Sequence, residues 1–317
     1  MMHKTYLPFS EDEFREHFVQ SKKDLSKIKK HISKYQKSIE NYGLFEANNE
    51  LLEDIRKIRQ IEKDETFWTA SALMTIFHSP NRDVELKKLL TPAFGEVPPL
   101  DKFSSWDDCL KGQLHLFFEP NLPSPKVYLN WLKNNAVVQN FIPYILEKAR
   151  NKKGEYRTNL EGSTNVDALL LNSSNGFAVI IEAKVLSDIS YQVSYDSMRN
   201  QIIRNLDVML GDNKDLRDPL NKRIADNSLF LLLTPKLYKD NPRTRLYGYT
   251  FRDYKDNSQL ICDDLKHRVL DLTDCERISK RMSWITWEDL KKINSDCCLW
   301  LNDNSIIATD DTNILQE

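Results

Sequence analysis

Three residues carry the chemistry in this sequence. Asp167 opens an otherwise apolar run, VDALLL, and Glu182 and Lys184 lie two apart in the next apolar run, FAVIIEAKV. Side chains alternate faces along a strand, so Glu182 and Lys184 point the same way and Ala183 points the other. The polar NSSNG turn at 172–176 joins the two runs as a hairpin. A pairing centred between residues 174 and 175, inside that turn, sets Asp167 opposite Glu182. Two carboxylates and an ammonium then share one patch. Neighbouring carboxylates repel and raise each other's pKa. A divalent cation removes that penalty, and carboxylates with the Ala183 carbonyl and water suit Mg²⁺, with Mn²⁺ able to substitute. Such an ion polarises a phosphate and acidifies a bound water, while Lys184 orients that water or steadies charge on the phosphorus centre.

Charges on a solvated strand face are common and carry little information. FAVIIEAKV, however, is apolar on both faces, the pattern of a strand covered on each side, where charged residues are seldom buried without a partner.

Asp167 followed by Glu182-Ala-Lys184 resembles the PD-(D/E)xK nuclease superfamily, the restriction-endonuclease-like fold. The resemblance spans about residues 131–235, and Val166 stands where the motif's name has proline. It implies an αβββαβ core and Mg²⁺-dependent hydrolysis of DNA phosphodiesters leaving a 5′-phosphate and a 3′-hydroxyl. The setting it suggests is restriction or anti-phage defence. It also implies a Gln or basic residue on the helix after the ExK strand, for which RNQIIRN offers Gln201 and Arg204, and a Glu on the helix before the first strand, for which the candidates are Glu147 and Glu161. The Gly162-Ser163-Thr164 turn puts amides and hydroxyls beside Asp167, making Thr164 a candidate phosphate contact. Four alternatives stay open: RNA as substrate, activation by a partner or a nucleotide signal, a non-catalytic nucleic-acid-binding or scaffolding role on the same fold, and cutting from ends or within the strand.

The elements that must position these residues follow from periodicity. Ser10 and Glu13 form a capping box. Leu25, Ile28, Ile32, Tyr35 and Ile39 make one helical stripe, opposite a face of Lys22, Lys23, Lys27, Lys29, Lys30, Lys34 and Lys37. That face is a solvated surface or a phosphate-tracking one, and the apolar stripe is also a candidate seam for a homodimer. A second helix carries Leu51, Leu52, Ile55, Ile58 and Ile61, and a third runs from Phe67 to Phe77. Residues 91–105, with Pro92, Gly95, Pro98 and Pro99, read as a loop and a domain boundary. This gives a helical region over 1–105 and a catalytic domain over 106–317. Within the latter, 106–118 reads as a helix, 131–149 as a helix kinked or restarted at Pro143, and 156–160 as a first short strand. The hairpin follows, then a helix over 192–210 with Met198, Ile202, Leu206 and Met209 on one face. Residues 229–233 read as a buried strand, 247–251 as an edge strand, and the final helix is capped by Thr286.

Composition bounds the rest. The net charge of −2 requires any basic groove for nucleic acid to be local. No apolar run is long enough to span a bilayer, and the N-terminal stretch has no signal-peptide core, which reads as a cytoplasmic protein. Five cysteines without a CxxC pair read as reduced thiols rather than a disulfide or zinc framework.

Overall fold

The computed structural model describes residues 9–18, 26, 28–33, 62–189, 195–211, 213–298 and 301. Most of the lysine-rich stripe, the helix expected over 51–61 and the C-terminal tail lie outside these residues.

The chain folds as a mixed five-stranded sheet with helices on both faces. The helices before it are α1 (Glu11–Glu16), α2 (Glu65–Phe77), α3 (Arg82–Phe94) and α4 (Trp106–Leu110). Strand β1 (Leu114–Phe118) and the short β2 (Asn121–Leu122) precede α5 (Lys126–Gln139) and α6 (Pro143–Lys148). Then come β3 (Thr164–Asn165), β4 (Ala168–Asn172), β5 (Ala178–Ala183), α7 (Gln201–Met209) and β6 (Ser228–Thr234). The chain continues through α8 (Lys236–Asp240), α9 (Leu246–Asp256), α10 (Gln259–Asp264) and α11 (Leu272–Lys280) to β7 (Met282–Thr286) and α12 (Trp287–Ile293).

The main sheet runs β1-β4-β5-β6-β7. The first three strands are antiparallel neighbours, and β6 and β7 add in parallel. Every residue of β5 and β6 is buried, which is why both read as near-continuous apolar runs. On one face Leu170, Val179, Ile181 and Leu231 pack against Phe67, Met74, Leu86 and Leu90 of α2 and α3. The helices before residue 105 therefore share a core with the sheet. On the other face Leu169, Ile180 and Phe230 pack against Ile202 and Leu206 of α7 and Phe251 of α9. A small third cluster, Tyr128, Leu132, Ala149 and Leu160, holds α5, α6 and the chain after them. Helix α1 docks through His17, whose Nδ1 lies 2.8 Å from the Leu116 carbonyl and whose Nε2 lies 2.8 Å from His78 Nε2. No described helix is long and apolar enough to cross a membrane.

Local rules account for much of this. Ser10 and Thr286 each close a capping box, and Pro143 opens α6 at its first turn, where its missing N–H costs nothing. The hairpin register is the expected one: Ala168 pairs with Ile181 and Leu169 with Ile180. Gly176 closes the turn at φ +79, and a Cβ there would meet Ile224 at 2.5 Å.

Six expectations are corrected. Residues 106–118 are not one helix: it stops at Leu110, Gly112 turns the chain at φ +130, and Leu114–Phe118 pairs along the open edge of β4. That strand takes the place expected of 156–160, where only an isolated Arg150–Tyr156 bridge forms. Residues 247–251 belong to helix α9, because Tyr247, Phe251 and Tyr254 repeat at helical spacing over a window longer than YGYTF. Helix α3 runs through Pro92 to Phe94, so the loop begins only at Gly95. Helix α7 starts at Gln201, leaving Met198 outside it and 69% exposed. The thiol reading also changes: Cys262 and Cys275 are joined by a disulfide linking α10 to α11, while Cys109, Cys297 and Cys298 are free and buried.

Candidate active site

Where β4 begins and β5 ends, four oxygen-bearing groups converge on one ammonium. Lys184 follows β5 directly. Its N–H donates to the Leu233 carbonyl of β6 (2.8 Å), and its own carbonyl accepts from the Trp287 indole (3.0 Å). Backbone and indole thus fix where the side chain starts. Its Nζ donates to Glu182 Oε1 and to the Ala183 carbonyl (3.0 Å), and lies 3.4 Å from Glu65 Oε1 and 3.9 Å from Asp167 Oδ2.

Glu182 is fully buried and satisfied on both oxygens. Lys184 and the Gln201 amide donate to Oε1, and Asn205 Nδ2 donates to Oε2 at 2.8 Å. Gln201 and Asn205 stand four residues apart on α7, so one helical face presents both. Asp167 keeps 28% of its side chain exposed, and its Oδ2 accepts from the Ala183 N–H at 2.7 Å. Glu65, 27% exposed, comes from the first turn of α2; its Oε2 accepts from the Val185 N–H (3.1 Å) and the Ser187 hydroxyl (2.5 Å). The site therefore draws on helices from both faces of the sheet, at the carboxyl end of a parallel strand pair, where α/β sheets commonly open a crevice.

The electrostatics match this crowding. Burial, then the Glu182 charge, pushes the Asp167 carboxyl well above the usual carboxylate range. Burial alone would lower Lys184, but Glu182, Asp167 and Glu65 together raise it, so the ammonium stays charged.

The donor set is three carboxylates and one backbone carbonyl, all hard oxygens of the kind that suits Mg²⁺ or Mn²⁺, and two of the carboxylates reach solvent. Among the described residues no three His, Cys, Asp or Glu side chains stand at mutual metal-holding distances. The lysine ammonium occupies the centre of the donor set instead.

The other expected site residues fall as follows. Arg204 points away from Glu182 and pairs with buried Glu161 at 3.1 Å, and Arg199 lies 3.7 Å from the other Glu161 oxygen. Thr164 is buried beside α7, its hydroxyl without a hydrogen-bond partner among the described residues. Glu147 is exposed on α6. The third carboxylate at Lys184 is thus Glu65, in place of the two candidates Glu147 and Glu161. With β1 as the first strand, the helices before it include α2, which carries Glu65. Asn205 was legible in QIIRN as the position four after Gln201. Glu65 and Trp287 had no local signal.

No protein-family model matches the chain, and no significant match was found among curated proteins or solved structures.

Proposed function

We propose that this protein is a divalent-metal-dependent nuclease of the PD-(D/E)xK type acting on DNA. The observation that carries the reading is the convergence of Asp167, Glu182, Glu65 and the Ala183 carbonyl on Lys184. Three acidic side chains around a shared cation, two of them partly open to solvent, make a costly arrangement unless a ligand uses it. The order of helix, β1, β4, β5, α7 and parallel β6 supports a restriction-endonuclease-like αβββαβ core.

Asp167, Glu182 and Glu65, with the Ala183 carbonyl as a fourth oxygen, would hold the cation only after the Lys184 ammonium leaves the centre of the set, since no three of the described acidic side chains stand at metal-holding distances around it. When bound, such an ion supplies Lewis-acid polarisation of a phosphate and a more acidic water. Lys184, kept protonated by its neighbours and buried among the carboxylates, would place a positive charge beside the cation, where negative charge develops on the phosphate oxygens. Gln201 and Asn205 hold Glu182 in one orientation, as outer partners of a ligating carboxylate do. Trp287 and the β5–β6 ladder fix the backbone of Lys184.

Calorimetric titration with Mg²⁺ and Mn²⁺ tests the cation site. The reading expects binding at millimolar concentration or tighter, lost in Asp167→Ala. DNA binding by a protein that takes up no divalent ion would instead favour a non-catalytic nucleic-acid-binding role.

A further inference from the structure

Away from the acidic centre, one lobe has a surface that neither the sheet cores nor the candidate chemistry explains. Residues 141–157, FIPYILEKARNKKGEYR, carry a net charge of +3 in a chain of net −2. Phe141 is 83% exposed and Tyr144 68% exposed. Helix α6 places Tyr144 and Lys148 four residues apart, on one face, and both point outward. Lys148, Lys152 and Lys153 are exposed and form no ion pair with any described residue.

The lobe is built to present these groups. Asn151 Oδ1 accepts from the N–H groups of Lys153 (2.8 Å) and Glu155 (3.1 Å), closing a tight turn with the two lysines at its tip. Arg150 lies 4.5 Å over the Tyr156 ring and donates to the Gly154 carbonyl, bracing the turn. Beneath it, Ala149 and Leu160 pack on Tyr128 and Leu132. The lobe is tied to the helix that holds Glu182: Arg199 stacks on Tyr128 at 3.5 Å, and Glu161 pairs with Arg204, one turn from Gln201.

We propose that residues 141–157 form an arm that binds unpaired nucleotides, stacking bases on Phe141 and Tyr144 and holding the flanking phosphates with Lys148, Lys152 and Lys153. Unpartnered ammonium groups attract polyanions, and two solvent-facing aromatic rings favour an occupant with flat faces of its own. A single strand offers both, whereas a duplex keeps its bases stacked inside. The proposal deepens the nuclease reading and rests on it for the meaning of the bound strand, though the binding itself is measured without catalysis.

The test is fluorescence anisotropy of the full chain in EDTA, with a labelled oligo-dT strand and a duplex of equal length. Wild type should bind the single strand more tightly. Phe141→Ala with Tyr144→Ala should weaken that binding by at least about fivefold and leave duplex binding unchanged. Lys152→Ala with Lys153→Ala should reduce the slope of log K against log salt by about 0.7 for each lysine. All four positions are exposed, and circular dichroism confirms that each variant folds. Single-strand binding unchanged in both variants overturns the proposal. So does equal affinity for duplex with no dependence on the aromatic pair, or a dimer in wild type that the aromatic substitutions dissolve, since a second copy would then be the occupant. Arm-dependent binding by a wild type that cleaves nothing in Mg²⁺ sinks the nuclease reading and leaves the arm standing.

Discussion

Replacing Asp167 with Asn should make the metal-free protein more stable at neutral pH. The ionised carboxylate lies 3.9 Å from the Lys184 ammonium, an attraction of about 4 kcal/mol at an effective dielectric of about 20. Against it stand two like charges. Glu182 is its cross-strand neighbour at roughly 5 Å between Cβ atoms, a repulsion of about 3 kcal/mol. Glu65 shares the same ammonium at 3.4 Å, so the two carboxylates lie within about 7 Å of each other and repel by about 2 kcal/mol. Partial burial adds to the deficit. Asn keeps an oxygen for the Ala183 N–H, so the net expectation is a gain of about 1 kcal/mol, or roughly 2–3 °C in melting temperature.

The pH dependence fixes the sign. Because the Asp167 pKa is raised in the fold, its contribution to stability is fully present below the ordinary carboxylate value of 3.8 and is lost as pH rises through the folded value. Wild type and variant should therefore converge near the acid end and separate toward neutrality. Urea or thermal melts in EDTA from acid to neutral pH measure this. Added Mg²⁺ should stabilise wild type more than the variant and close the gap, because a ligand bound only to the folded state adds its binding energy. A variant less stable than wild type at neutral pH in EDTA, or a gap independent of pH, would refute the reasoning.

Three other perturbations probe the same framework. Asn205→Leu strips Glu182 Oε2 of its donor; it should cost roughly 1–3 kcal/mol in urea unfolding and lower DNA cleavage about 10- to 100-fold, and an unaffected unfolding curve would show that Glu182 is not held this way. Glu65→Gln keeps an acceptor for the Val185 N–H, so the melting temperature should hold while cleavage falls at least about tenfold; full activity would remove Glu65 from the site. Burial lowers the His17 pKa to about 4, so its contribution to stability is present above the ordinary value of 6.5 and is lost as pH falls toward about 4, by up to about 3 kcal/mol. His17→Leu should flatten that acid limb in paired melts, and an unchanged slope would contradict it.

The centre of the fold was legible because local and tertiary demands coincide there. VDALLL and FAVIIEAKV are apolar on both faces and joined by a short turn ending in glycine, so strand type, burial and register follow from one pattern. The edges were not, because tertiary pairing decides them. LHLFF continues a helical-looking segment and becomes a strand only because β4 leaves an edge open. MSWIT is too short and mixed to announce β7, and YGYTF alternates like a strand yet lies in a helix. The candidate site divides in the same way. Asp167, Glu182 and Lys184 are close through one hairpin and could be paired by arithmetic. Glu65 lies 119 residues before Lys184 and meets it only because α2 packs on the sheet. Because LHLFF is the strand beside β4, the helices able to supply that carboxylate precede residue 114, and α6 with Glu147 lies after it.

The most direct measurement of the central claim is cleavage of plasmid and single-stranded DNA by the purified chain in Mg²⁺ or Mn²⁺, beside Asp167→Ala and Lys184→Ala. Cation-dependent cleavage leaving 5′-phosphate ends, stopped by EDTA and abolished in both variants, is the predicted result. Cleavage that continues at the wild-type rate in either variant would contradict the assignment of this cluster as the catalytic centre.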